Sequence, residues 1–196
     1  MKHYQHIVVG AVAALAFVAG DLRRENTTSL QTAKPVTVFF VRHAETGPRP
    51  KRLLAPEGEK RAKALQRLLG STGITHVFST DYPRTRGTIA PLAKAAGLKV
   101  ELISSPKPDK QAAAIRALPS GSVAVVAGHS NTLPSLIAKL GGKVTGLTRR
   151  GLIVDDVHDR LFVMTFMGEG LSMVELRYGE SARGKAAKKP KDKVKR

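Results

Sequence analysis

Three polar clusters stand out in this sequence, each directly after an apolar run. Arg42-His43-Ala44-Glu45 follows the first, Ser79-Thr80-Asp81-Tyr82-Pro83-Arg84 the second, and Gly128-His129-Ser130 the third. Together they offer two arginines and two histidines, a set that suits a phosphoryl group. Guanidinium forks match the oxygens of a phosphate dianion. Each charge-assisted hydrogen bond to it is worth roughly 1.5–3 kcal/mol. A neutral imidazole is a competent nucleophile near pH 7, since its reference pKa is about 6.5. A second, protonated histidine would stabilise the equatorial oxygens as charge redistributes, and water would then hydrolyse the phosphohistidine. This chemistry needs no metal or cofactor. His43 and His129 as metal ligands lack a third histidine or paired carboxylate at ligand spacing. Taken singly, an Arg-His pair also suits a helix cap, and Gly-His-Ser a turn before a helix.

The elements around the clusters are what would bring them together. Pro35 opens the run Val36-Thr37-Val38-Phe39-Phe40-Val41, which is short, β-branched and aromatic, as in a buried strand. A loop with Gly47, Pro48 and Pro50 follows. Pro56 and Glu57 start a helix, Ala62, Leu65, Leu68 and Leu69 share one face, and Gly70 ends it. Lys60, Arg61, Lys63 and Arg67 fall on its polar side. His76-Val77-Phe78-Ser79 is a strand, a helix runs from about Thr85 to Ala96, and Lys99 to Ile103 is a strand. A helix near Asp109 to Leu118 precedes the buried strand Val123-Ala124-Val125-Val126-Ala127, and a helix over Leu133 to Leu140 follows it. Leu161 to Met167 and Leu171 to Arg177 read as a hairpin around Gly168-Glu169-Gly170. The pattern predicts a three-layer α/β/α sandwich with a mainly parallel sheet and an antiparallel C-terminal edge hairpin. In such a sheet, sites form at the carboxyl ends of strands, where the three clusters fall.

With the motifs in place, the chain resembles the histidine phosphatase superfamily, which includes phosphoglycerate mutases and small phosphohistidine phosphatases. Arg42-His43-Ala44-Glu45 is similar to its Arg-His-Gly-Glu signature. Arg84-Thr85-Arg86-Gly87-Thr88 resembles its Arg-(Ala/Thr)-x-x-Thr motif, and residues 125–132 its second-histidine motif. The resemblance covers 35–179. It implies His43 as the nucleophile, Arg42, Arg84 and His129 as the phosphate pocket, and Thr46 and Ser130 as further phosphate contacts. Glu45 and Thr46 occupy motif positions without being read as catalytic. Ala44 stands where the family has glycine, a mild change if the backbone keeps a negative φ.

Mutase-like members carry a glutamate as general acid, and no matching acidic motif is present. Glu101 lies inside a strand, Asp109 suits a helix cap, and Asp81 is placed to orient Arg84; these three are the candidates. Asp155, Asp156, His158 and Asp159 precede the hairpin. His158-Asp159 resembles the His-Asp pair of the acid phosphatase branch. Because His129 fills the second-histidine slot, that pair reads as a loop or strand-start feature. Without an acid, phosphohistidine, other phosphoramidates, acyl phosphates and aryl esters are favoured over alkyl esters, whose leaving oxygen must be protonated. The expected activity is a metal-independent phosphatase acting through a phosphohistidine on His43. The alternatives are a phosphoglycerate mutase-like phosphotransferase and a non-catalytic phosphate-binding, membrane-tethered module.

The 196 residues contain no cysteine, which excludes a cysteine nucleophile and disulfides. The net charge of +18 favours an anionic partner, either a phosphorylated small molecule or a phosphoprotein. Residues 180–196 read as a basic disordered tail able to contact anionic membrane, and no aromatic residue interrupts them to favour specific nucleic-acid binding. Residues 1–34 read as a signal peptide or membrane anchor plus linker, with a short apolar stretch from Ile7 to Ala19. This implies export to the periplasm or attachment to the membrane.

Overall fold

β1, Val36–Arg42, sits at the centre of the sheet because both of its faces are apolar. Val38 and Phe40 point into one half of the core, and Phe39 and Val41 into the other. β4, Val123–Gly128, repeats this alternation with Ala124 and Val126 against Val125 and Ala127. Only a strand covered on both faces tolerates such a pattern. A computed structural model describes residues 34–103 and 108–181. The proposed leader within 1–34 (apart from its last residue) and the basic tail beyond 181 lie outside the described residues. Among the described residues, no helix is long and apolar enough to cross a membrane.

The sheet has six strands in the order β3-β2-β4-β1-β5-β6. β2 spans His76–Ser79, β3 Val100–Leu102, β5 Arg160–Met167 and β6 Gly170–Arg177. β3, β2, β4 and β1 run parallel, β5 runs antiparallel to β1, and β6 runs antiparallel to β5. α1, Pro56–Leu69, and α2, Pro83–Ala96, pack together on one face. α3, Pro108–Arg116, and α4, Thr132–Lys139, pack on the other. This is the expected three-layer sandwich with an antiparallel edge hairpin. Each fully buried large side chain, such as Phe40, Leu65 or Phe162, contributes about 1.5–3 kcal/mol to it.

The elements match the sequence reading to within a few residues. α2 begins at Pro83 rather than Thr85, because Pro suits the first helical turn. β3 is only three residues long, since it is an edge strand paired on one side. Two assignments on α1 are overturned: Leu68, expected on the apolar face, is exposed, and Arg61 is turned inward. Arg61 is not on a solvent face of α1; it is 4% exposed and donates to the Glu45 carboxylate and to the carbonyls of Tyr178 and Glu180. Three partners at one end of the sheet draw its charge inward.

Candidate active site

The register explains why the clusters meet. Arg42 of β1 lies beside Gly128 of β4, and Ser79 of β2 lies beside Ala127. The residues just beyond these three strand ends therefore share one crevice. Gly128 is needed there because a Cβ would come within 2.8 Å of the Leu133 side chain, so α4 can start close against the strand. His43 and His129 end up with ring centroids 5.6 Å apart.

Hydrogen bonds define the imidazole of each. His43 Nδ1 lies 2.8 Å from the Ala44 carbonyl, which can only accept, so Nδ1 carries the proton. Nε2 is left with a lone pair and no protein partner among the described residues. The Ala44 N–H donates to Thr88 Oγ1, which donates to the Arg84 carbonyl. The second motif thus holds the backbone of the first. Ala44 keeps a negative φ; Arg52 is the sole non-glycine residue with a positive φ among the described residues.

His129 is polarised the other way. The Arg84 guanidinium, 3.3 Å from Nδ1, can only donate. Nε2 therefore carries the proton and donates to Thr80 Oγ1, at 2.9 Å. Thr80 bonds Thr85, whose hydroxyl also reaches the Thr80 and Tyr82 carbonyls. Arg84 itself stacks on the Tyr82 ring, 4.5 Å from its centroid. Arg42 Nη1 donates to the carbonyls of Val154, Asp155 and Val157. Arg42 and Arg84 each bury an Nε with no partner. An unmade bond of this kind costs about 1–3 kcal/mol and is a common mark of a functional site.

Burial, then the Arg42, His158 and Arg84 charges, push the His43 pKa down to about 3, although the Ala44 carbonyl acts against them. Burial, Arg84 and Arg42 push His129 down to about 4. The free site therefore holds His129 neutral, whereas the sequence reading assigned it a positive charge. The reason is burial of the ring, followed by the two neighbouring arginines; a dianion bound beside them would offset their charge and favour protonation at Nδ1.

Both shifts bear on stability. In the unfolded chain these histidines protonate near pH 6.5. Between that value and about 3, the unfolded state binds more protons than the folded state, so stability falls as pH falls through this window. Urea unfolding near pH 5 is expected to show uptake of about two protons from this pair, with the midpoint falling between pH 7 and 4. A midpoint that stays flat over that range would contradict the neutral buried pair.

The structure adds a residue that the sequence reading set aside. His158 is buried, its ring centroid is 5.5 Å from that of His43, and its Nδ1–H donates to the His43 carbonyl at 2.7 Å. β5 runs antiparallel to β1, so the residues just before it return to the same crevice. The segment 154–158 thus holds both Arg42 and His43. His158→Ala is expected to lower kcat about tenfold while KM changes less than about twofold, because it loosens His43 without touching the arginines. An equal rise in KM would instead make His158 a phosphate contact.

The three general-acid candidates lie away from His43. Glu101 is exposed on β3, three strands from β1, roughly 14 Å at ordinary strand spacing. Asp109 pairs with Lys139 in the last turn of α4, at the helix end away from His129. Asp81 does not orient Arg84; it is exposed and pairs with Arg86 at 3.4 Å, because Arg84 is drawn onto Tyr82 and His129. Thr46 forms an isolated bridge with Leu54, and Ser130 accepts the Ile153 N–H through its carbonyl. Glu45 accepts a bidentate bond from Arg61. Among the described residues, no group of three His, Asp or Glu is arranged to hold a metal ion.

Comparison with known proteins agrees with this fold. Residues 38–105 match the family model of the histidine phosphatase superfamily, branch 1. The fold is that of the histidine phosphatases. The matched segment carries Arg42, His43 and Arg84, and His129 follows beyond it. The fold is similar to that of the protein histidine phosphatase SixA complexed with tungstate, at 18% identity and a TM-score of 0.57, over 76% of this chain and 98% of that one. It is similar to a putative phosphohistidine phosphatase SixA from Agrobacterium tumefaciens, at 17% identity and a TM-score of 0.56, over 71% and 97%. A phosphoglycerate mutase from Plasmodium falciparum is similar at 17% identity and a TM-score of 0.51, over 83% and 99%. No curated protein sequence matches the chain.

Proposed function

We propose that this histidine phosphatase-fold chain is a metal-independent phosphatase that forms a phosphohistidine on Nε2 of His43. The observation that carries the reading is the His43 tautomer: the Ala44 carbonyl holds the proton on Nδ1 and leaves the Nε2 lone pair outward. That lone pair attacks phosphorus, the N–P bond forms, and the P–O or P–N bond to the leaving group breaks with its electron pair. The ring becomes cationic, and the Ala44 carbonyl stabilises the Nδ1–H of that cation. Arg42, Arg84 and His129 bind the phosphoryl oxygens. Water then attacks phosphorus, the N–P bond breaks, and the lone pair returns to Nε2 with phosphate released.

The leaving group receives little help. Glu45 and Asp159 are already engaged by Arg61 and Arg177, and Asp155 is nearly fully exposed, 3.8 Å from Arg42 Nη2. This favours substrates that depart without a strong acid: phosphohistidine and other phosphoramidates, acyl phosphates and aryl esters. Similarity to a protein histidine phosphatase supports a phosphorylated nitrogen as one such class. The test compares turnover of phosphoramidate, an aryl phosphate and an alkyl phosphate in the presence of chelator. The first two should proceed unimpaired, and the alkyl ester about 100-fold more slowly or worse. Equal rates for all three, or loss of activity with chelator, would overturn the reading.

A further inference from the structure

Beside the phosphate pocket, Arg84 also forms part of the wall of a second cleft of about 590 Å³. Arg49, Lys51, Arg52 and Tyr82 line it as well. No carboxylate lines it, and none of its four cations has an ion-pair partner among the described residues. Unpaired cations are common in a chain with 33 Lys and Arg against 15 Asp and Glu, but here four of them line one concave surface that includes Arg84. Arg52 also holds a left-handed backbone conformation, φ 44°, which costs a non-glycine residue roughly 1–2 kcal/mol. Its charge lies near enough to Arg84 to help depress the Arg84 pKa, after burial. Like charges held together unpaired raise the energy of the free protein and are relieved by an anion.

We infer that this cleft binds a second anionic group of the substrate, so that the enzyme prefers molecules carrying another phosphate or carboxylate near the transferable phosphoryl. The inference rests on the phosphatase reading for its orientation: the phosphoryl sits at His43 and the second anion at Arg49, Lys51 and Arg52, with Arg84 between them. The exposed ring of Tyr82 forms the floor over which the linking atoms pass.

Binding tests this without turnover. Calorimetry on the full chain compares phenylphosphonate, 4-carboxyphenylphosphonate and 1,4-phenylenediphosphonate. Both dianionic-plus probes should bind at least about tenfold more tightly than phenylphosphonate, with an advantage that shrinks as salt rises. The carboxylate and phosphonate arms distinguish which second anion is preferred. Lys51→Ala and the double variant Arg49→Ala/Arg52→Asn should each remove most of the advantage and leave phenylphosphonate binding within about twofold; Asn tolerates the left-handed conformation. Lys94→Ala/Lys99→Ala, which removes equal charge at the far end of α2, should leave the advantage intact. Equal affinity for all three probes, or an advantage that survives the cleft variants, would overturn the inference. Failure of the phosphatase reading appears separately, as absent hydrolysis of an aryl phosphate with the binding preference retained.

Discussion

His43→Ala is expected to lower kcat on an aryl phosphate by at least about 10⁴-fold, because it removes the nucleophile rather than a contributor to binding. Vanadate or phosphate should still bind within severalfold of wild type, since Arg42, Arg84 and their supports are untouched. Arg42 remains fastened by three carbonyls of the 154–157 segment, and Arg84 by Tyr82 and His129. Steady-state kinetics with a calorimetric titration of the oxyanion separates the two effects. A variant that lost binding and rate together would mean that His43 holds the pocket rather than reacts.

The largest effect away from the reacting groups is expected at Gly58 in α1. A Cβ there would lie 2.1 Å from the Glu45 carbonyl oxygen and 3.1 Å from the Glu45 nitrogen. Both neighbours are backbone, so neither can rotate aside. Glu45 is two residues beyond His43, its carbonyl accepts the Ala55 N–H, and its carboxylate is fastened to Arg61. Gly58→Ala must therefore push the loop after β1 away from α1. It is expected to destabilise the fold by about 3 kcal/mol, the upper range for overpacking. It is also expected to lower kcat by roughly 100-fold, because a displacement of about 1 Å at a nucleophile has that cost. Gly47→Ala in the same loop provides the contrast. Its nearest neighbour would be the Leu53 carbonyl oxygen at 3.9 Å, so thermal unfolding and kcat should both stay close to wild type.

The parts of the fold visible in the sequence were those with strong apolar patterning. β1 and β4 are continuous apolar runs because helices cover both faces, and a polar cluster directly after each run marks the strand end that faces the crevice. Arg42, His43 and His129 are legible for that reason, and Arg84 from the cluster after β2. The hairpin was legible from its two apolar strands, but its consequence for the site was not. Antiparallel pairing of β5 with β1 turns the start of β5, rather than its end, toward His43. The rule that sites lie after strands therefore passes over His158, and its own signal, the His158-Asp159 pair, reads as a loop or strand-start feature because His129 already fills the second-histidine slot.

Charge was the other quantity that the sequence left open. Helical periodicity placed Arg61 among solvated residues, while Glu45, Tyr178 and Glu180 supply three acceptors that only the folded chain brings together. The state of His129 likewise depends on Arg84 at 3.3 Å, a distance that no spacing in the chain encodes. Asp81 is one residue from the turn and three from Arg84, yet its carboxylate turns outward to Arg86.

The central claim is that the phosphoryl group rests on Nε2 of His43 between the two halves of the reaction. Rapid mixing with ³²P-labelled acetyl phosphate or phosphoramidate, followed by alkaline quench, traps the intermediate directly. The expected product is one label per chain, stable in alkali and lost in mild acid, mapped by peptide sequencing to His43 and by NMR to Nε2. Label on a serine or threonine, or label at His43 bound through Nδ1, the atom that the Ala44 carbonyl holds protonated, would contradict the account.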